Sequence, residues 1–291
     1  MILTLAMGAC SDSTGVSAPD VDRLILFSAQ SIANPGTNSL YGVMPDGSGL
    51  IKLPQSGLGQ TLFPRRSRDR QQIAFGTGTN GSYSVWTMRA DLTGPHTEYN
   101  PSACPNGVGA FSWSPSGDRV LVDCDVAQVV IKVADGTSYS LSQTWGRLAS
   151  QPDWSPLGDR ILYQSAPRGG DIYVANLDGS GATLVAAAAE RPVWSPNGNS
   201  IVFERGIPNG SRVIVVANAD GTGQRQVTFP ADPTINDESP AWSPDGTQLV
   251  FVRYQVAQPD WKFHLNVINV DGSGLKSITP DTLRDILQPD W

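Results

Sequence analysis

The chain has 291 residues, of which 30 are glycine and 22 proline, while 16% are charged and 40% are hydrophobic. That balance supplies a sizeable core and many turns, which excludes wholesale disorder and points to short strands rather than long charge-laced helices. A net charge of −7 would be repelled by a phosphate backbone, so no nucleic acid partner is expected, and two histidines leave little material for His-based zinc or triad chemistry.

Residues 1–10, from Met1 to Cys10, form an apolar run ending in small residues and a cysteine. The run is too short to span a bilayer, which needs ~20 residues, and it reads as the end of a secretory signal. Met7-Gly8-Ala9-Cys10 resembles a lipobox, in which Cys10 would carry lipid and become the mature N-terminus. Residues 11–21 begin small and polar and read as a tether. The expectation is an exported protein, periplasmic or held at a membrane only through a lipid anchor. In such an oxidising compartment Cys104 and Cys124 are a candidate disulfide.

From residue 22 onward the chain repeats. Six apolar triplets recur: Ile25-Leu26-Phe27, Ile73-Ala74-Phe75, Val120-Leu121-Val122, Ile161-Leu162-Tyr163, Ile201-Val202-Phe203 and Leu249-Val250-Phe251. Trp-Ser-Pro-x-Gly precedes the last four, starting at Trp113, Trp154, Trp194 and Trp242. A second turn motif of the Asp-Gly-Ser-Gly type starts at Asp46, Asp91, Asp135, Asp178, Asp220 and Asp271. Six units of about 46 residues match the ~40–45 of a four-stranded propeller blade. Ser-Pro-x-Gly makes the turn from strand A to strand B, with Pro fixing φ at its second position. Asp-Gly-Ser-Gly makes the turn from C to D, its glycines supplying positive φ. Strand B is apolar at consecutive positions, as a strand sandwiched between two neighbouring sheets must be. Gln288-Pro289-Asp290-Trp291 repeats Gln151-Pro152-Asp153-Trp154, whereas the first repeat begins directly with strand B. The last segment is therefore predicted to supply strand A of blade 1. The fold class is all-β: a monomeric six-bladed β-propeller over residues 22–291, closed by its terminal strands.

The second repeat departs from this pattern. Arg65-Arg66-Ser67-Arg68-Asp69-Arg70 fills the slot of Ala241-Trp242-Ser243-Pro244-Asp245-Gly246, so Arg66 stands where a Trp belongs. Two readings are open: an anion or partner site, or a decayed repeat with Arg66 stacked on an aromatic ring.

The repeats resemble those of the TolB family of bacterial envelope proteins, with Trp242-Ser243-Pro244-Asp245-Gly246-Thr247-Gln248-Leu249-Val250-Phe251 the nearest match. The resemblance covers about residues 22–291 and implies a non-catalytic propeller of the cell envelope. Family members also carry an N-terminal α/β domain; the expectation here is a propeller without it. Similar repeats occur in the non-catalytic halves of some peptidases, so the fold alone does not set the function.

No Gly-x-Ser-x-Gly or His-Glu-x-x-His occurs, and His96 and His264 fall in different repeats, so neither a metal nor a cofactor is expected. The Asn-x-Asp-Gly-Ser/Thr-Gly segments echo a calcium loop but lack its final Glu. Asp153 and Asp290 occupy equivalent inner-strand positions and are the one pair that could approach across the channel. They carry the alternative reading, a carbohydrate-active or lactonase-like enzyme. The favoured reading places a protein or peptide partner on the face bearing the variable B–C and D–A connections. Its candidate contacts are Trp145, Arg147, Arg168, Glu190, Arg191, Arg205, Asp237, Glu238, Arg253, Tyr254, Trp261 and Lys262, with Asp153 and Asp290 at the channel mouth. Pairing Trp113 with Val120 would put Cys124 opposite Gly109, five residues from Cys104, close enough for a disulfide across a folded-back loop.

Overall fold

A computed structural model describes residues 21–54, 58–79, 82–92, 97–99, 108–124, 127–141, 149–165, 169–208, 210–256 and 261–291. The signal-like run with Cys10, nearly all of the tether, His96, Cys104, Trp145, Arg147 and Arg168 lie outside these residues. After one 3-10 turn (Val21–Arg23) the described chain runs as strands. Blade 1 takes β1 (Ile25–Ser31), β2 (Asn34–Val43) and β3 (Ile51–Lys52). Blade 2 holds β4 (Gln60–Arg66), β5 (Gln72–Thr79), β6 (Ser82–Arg89) and β7 (Thr97–Tyr99). Blade 3 holds β8 (Val108–Trp113), β9 (Arg119–Cys124), β10 (Ala127–Lys132) and β11 (Ser138–Ser140). Blade 4 holds β12 (Ser150–Trp154), β13 (Arg160–Gln164), β14 (Ile172–Asn176) and β15 (Thr183–Ala186). Blade 5 holds β16 (Ala189–Trp194), β17 (Ser200–Gly206), β18 (Arg212–Asn218) and β19 (Arg225–Gln226). Blade 6 holds β20 (Ile235–Trp242), β21 (Gln248–Gln255), β22 (Lys262–Asn269) and β23 (Lys276–Ser277). Finally β24 (Leu283–Asp290) returns as strand A of blade 1, giving the order β24-β1-β2-β3.

The register of the A–B pair is the same from blade to blade: Arg66 pairs with Ile73, Trp113 with Val120, Trp154 with Ile161, Trp194 with Ile201 and Trp242 with Leu249. Closure uses the same pattern, with Leu26 opposite Asp290 and Ser31 opposite Leu283. Strand B is apolar on successive residues because its two faces serve different interfaces. Ile201 and Phe203 pack against blade 4, while Val202 packs against blade 6. Val120 and Val122 face blade 2, and Leu121 faces blade 4. The hydrophobic clusters correspond to the six junctions between neighbouring blades.

The turns follow from their residues. Gly117, Gly158, Gly198 and Gly246 take positive φ at the A–B turns, and each donates its N–H to the Ser three residues earlier. At the C–D turns, Asp46, Asp135, Asp178, Asp220 and Asp271 each accept both the hydroxyl and the backbone N–H of the Ser or Thr two residues on. The calcium-loop echo is thus a turn whose carboxylate is occupied by its own backbone. A side chain at Gly221 would meet the Val185 carbonyl oxygen at 2.2 Å, so the C–D turn of blade 5 sits directly on blade 4. One expectation shifts by a residue: a bulge between Val108 and Phe111 sets Cys124 opposite Val108 rather than Gly109. Cys124 is disulfide-bonded, and the other two cysteines lie outside the described residues.

Two predictions follow from this architecture. Removing residues 288–291 strips the closing strand of its inter-blade bonds; at roughly 2–4 °C per kcal/mol for a chain of this size, melting should fall by about 10 °C or more. An unchanged thermal melt would refute closure by β24. The hydroxyl and amide bonds to the five C–D turn aspartates hold those carboxyls below their usual value, Asp135 at about 2. A depressed folded-state value stabilises the fold above the unfolded value of 3.8 and is lost as pH falls through the folded value. Melting temperature should therefore drop between about pH 4 and pH 2, and changing all five to Asn should flatten that slope.

Candidate functional site: the channel and the variable-loop face

Five of the six inner strands carry a proline two residues before the Trp position. The residue preceding it has positive φ in each case: Phe63 (58°), Gln151 (49°), Arg191 (50°), Ser239 (55°) and Gln288 (40°). Strand A slips register at the same place, between Leu62 and Arg65 in blade 2 and between Glu238 and Ala241 in blade 6. This bulge rotates Gln151, Arg191, Ser239 and Gln288 into the central channel. A left-handed non-glycine residue costs about 1–3 kcal/mol, and the neighbouring blade offsets it. Side chains at the end of strand B catch the bulge N–H of the next blade: Ser28 holds Phe63 (3.1 Å), Asp123 holds Gln151 (3.0 Å), Gln164 holds Arg191 (3.2 Å) and Glu204 holds Ser239 (2.9 Å). The sequence reading missed this device, although the recurring Pro was its signal.

The channel cavity has a volume of about 280 Å³ and is bordered at one end by the A–B turn residues Arg68, Pro196 and Pro244. Asp153 and Asp290 both line it, and both are used by the scaffold. Asp153 accepts the Ser112 hydroxyl (2.8 Å) and the Trp194 N–H (2.7 Å). Asp290 accepts the Arg66 N–H (2.7 Å) and pairs with the Arg65 guanidinium (3.7 Å). Each carboxylate thus pins its blade to the next one in the ring. Among the described residues no three metal-ligating side chains converge.

Blade 2 keeps its turn but changes its chemistry. The Ser67 hydroxyl bonds Asp69 (2.6 Å), as Ser243 bonds Asp245, and the Arg70 N–H reaches the Ser67 carbonyl, as Gly246 reaches Ser243. Arg70 sits at φ 60°, the conformation its glycine counterparts adopt. Arg66 is 7% exposed in the Trp slot. It does not stack on a ring; it donates to the Val21 (3.0 Å) and Leu24 (3.3 Å) carbonyls. Burial, with Arg70 beside it, pulls its pKa down to about 10.

On the variable-loop side most of the expected contact residues are engaged within the protein. Glu204 is fully buried and accepts from Arg191 (2.8 Å), Arg212 (2.6 Å) and the Ser239 N–H. Burial pushes its carboxyl above the usual range. Arg191 also reaches Glu238 (3.0 Å), and Arg212 reaches Glu190 (3.1 Å) and Glu238 (3.3 Å). Asp237, also fully buried, takes both arms of Arg253 at 2.6 and 2.8 Å. Arg205 folds over the Phe203 ring and donates to Ala187 and Gln224. His264, at 3.4 Å from Asp281, stands apart from the channel. Trp261 lies parallel to Tyr254, ring centres 5.6 Å apart, with Phe263 against both. The Tyr254 hydroxyl is anchored on Glu238 (2.8 Å), and Trp261 remains 47% exposed.

These features define a closed six-bladed propeller with a strained, arginine-rich channel. The TolB beta propeller domain family matches residues 25–291, and the chain belongs to that family. TolB from Acinetobacter baumannii superposes with a TM-score of 0.74 at 16% identity, covering 94% of this chain and 67% of that one. A TolB-like protein from Agrobacterium tumefaciens gives 0.66 at 18% identity, covering 92% and 90%. A chain of a nidogen–laminin complex gives 0.70 at 8% identity, covering 92% and 97%, so at these identities the likeness speaks for the fold alone. No curated protein matches the chain by sequence.

Removing the buried Glu204 carboxylate strips Arg191 and Arg212 of the anion they share, leaving them Glu238 and Glu190 alone, and orphans the Ser239 N–H. Glu204→Ala should therefore cost about 3–5 kcal/mol, against about 1–3 kcal/mol for Asp153→Ala, which removes the acceptor of the Trp194 N–H and the Ser112 hydroxyl but no charge partner. Urea titration of the two variants checks that order.

Proposed function

We propose that the chain is a non-catalytic propeller of the bacterial cell envelope that binds a protein or peptide partner on its variable-loop face. The observation that carries this reading is the aromatic stack on the β21–β22 hairpin. Trp261 is exposed at its edge, and the rings beneath it are fixed by packing and by the Tyr254–Glu238 bond. A rigid aromatic loses little entropy on contact and is the usual interface anchor. Other exposed apolar side chains lie in neighbouring connections of the same face: Phe229 (73%) between β19 and β20, Val256 between β21 and β22, and Ile32 between β1 and β2. The charged residues contribute less than their number suggests, because Arg253, Asp237, Arg191 and Glu238 are already paired internally. What supports the non-catalytic part is the use of Asp153 and Asp290 as inter-blade acceptors. The family resemblance supports export, with Cys10 the candidate lipid attachment point and Cys104 the candidate partner of Cys124. Trp145, Arg147 and Arg168, outside the described residues, are assigned to the same proposed surface.

The test is crosslinked capture from an envelope fraction, with wild-type protein and a Trp261→Ala/Phe229→Ala variant. Capture should be lost while the melting temperature stays nearly unchanged. Capture that survives the double change, or that is lost instead on altering Asp178 and Asp220 on the opposite face, would overturn the assignment.

A further inference from the structure

The ion-pair cluster between blades 5 and 6 joins three carboxylates, Glu190, Glu204 and Glu238, to two guanidinium groups, Arg191 and Arg212. One negative charge is therefore in excess. Glu204 on β17 is fully buried, whereas Glu190 and Glu238 keep 12% and 19% of their side-chain surface. The excess charge is hardest to support where there is no water, and burial, with the Glu238 charge beside it, raises the Glu204 carboxyl. The charges next to the cluster are engaged elsewhere. Asp237 holds Arg253, Arg205 lies over the Phe203 ring, and His264, opposite Arg253 on the strand pair, reaches Asp281.

Glu204 also ties down backbone. It accepts the N–H of Ser239, whose φ of 55° is left-handed. Glu238 is the residue before Ser239, and its carboxylate accepts the Tyr254 hydroxyl (2.8 Å) as well as Arg191 (3.0 Å). Tyr254 in turn lies parallel to Trp261, the exposed ring of the platform. A continuous line of contacts thus runs from the buried carboxylate to the surface. A protonated carboxyl has fewer acceptor sites and sets an O–H among three donors, those of Arg191, Arg212 and Ser239. Without its acceptor the left-handed serine is no longer over-determined, and extended backbone is its favoured alternative.

We infer that Glu204 is an acid-responsive latch for the aromatic platform: a proton taken up from solvent releases the Ser239 bulge, and with it the Glu238 carboxylate that fixes Tyr254 against Trp261. As regulation of the partner face the latch rests on the reading above, but its test uses no partner and stands apart from that reading.

The experiment is fluorine NMR of the full chain labelled with fluorotryptophan, titrated from about pH 7.5 to about pH 4, with Trp261→Phe assigning the Trp261 resonance. That resonance should titrate with a midpoint above the ordinary Glu value of about 4.3. Glu204→Gln, which keeps the shape and removes the charge, should place it at the acid position already at neutral pH and abolish the titration. Tyr254→Phe should abolish the titration by cutting the link, and His264→Gln should leave it in place. A flat Trp261 resonance in the wild type overturns the latch, as does a titration that survives Glu204→Gln or Tyr254→Phe or is lost with His264→Gln. Equal movement of Trp113 and Trp154, in blades 3 and 4, would mean acid unfolding and overturns it too. If Glu204→Gln does not fold, Glu204→Asp must move the midpoint for the inference to stand.

Discussion

Strand B of every blade is apolar on both faces, and everything else in the molecule answers to that constraint. A two-faced apolar strand cannot be satisfied inside a single four-stranded sheet. Val202 and Phe203 are adjacent in sequence yet belong to different junctions, one towards blade 6 and the other towards blade 4. The core of this protein is therefore divided among the spaces between blades. No blade owns a core, and no linear array of blades could cover its two ends. Only a ring leaves no apolar face open, which is why the return of β24 to β1 belongs to the core as much as to the sheet.

The inner strands show a second layer of the same logic, written in polar groups. A side chain one residue before the Trp position reaches forward to the next blade: Ser112 to the Trp154 N–H, Asp153 to the Trp194 N–H, Asp290 to the Arg66 N–H. The indoles of Trp113 and Trp242 reach backward, to the Arg65 and Val193 carbonyls. Neighbouring blades are thus registered along the channel by directional bonds, and across the junctions by shape. The strained residues before each proline are tolerated because these contacts over-determine the backbone around them.

Most of this fold was legible in the residues. The Trp-Ser-Pro-x-Gly spacing gave the A–B register, and Gln288-Pro289-Asp290-Trp291 announced the closure, because both depend on local turn chemistry and a period-two strand. The site was less legible. Arg205, Arg253, Asp237 and Glu238 were placed on one face by their position along the strands, but nothing in linear order says that Arg253 closes on Asp237 or that Arg205 lies over Phe203. Pairing partners that sit on different strands are set by register and rotamer together. Arg66 shows the same limit: a cation in a tryptophan slot suggests ring stacking, whereas the structure uses its fixed donors to hold two carbonyls of the chain entering blade 1. The bulge was missed for a different reason. Its signal, a proline two residues before the Trp, is visible only when the repeats are aligned on the Trp and read backwards.

The sheet of blade 1 joins strands drawn from opposite ends of the sequence, and Asp290 bonds a backbone amide 224 positions away. Contacts of such span carry a loop-closure cost that must be met before they return any free energy. Until β24 arrives, β1 presents an unpaired edge and blades 1 and 6 expose the apolar faces that later meet. Pairing of β24 with β1 covers that edge, and neither end of the sheet is then free to fray independently. In a molecule built in this way, loosening one terminus exposes apolar faces of both blade 1 and blade 6, so the two ends of the chain stand or open together.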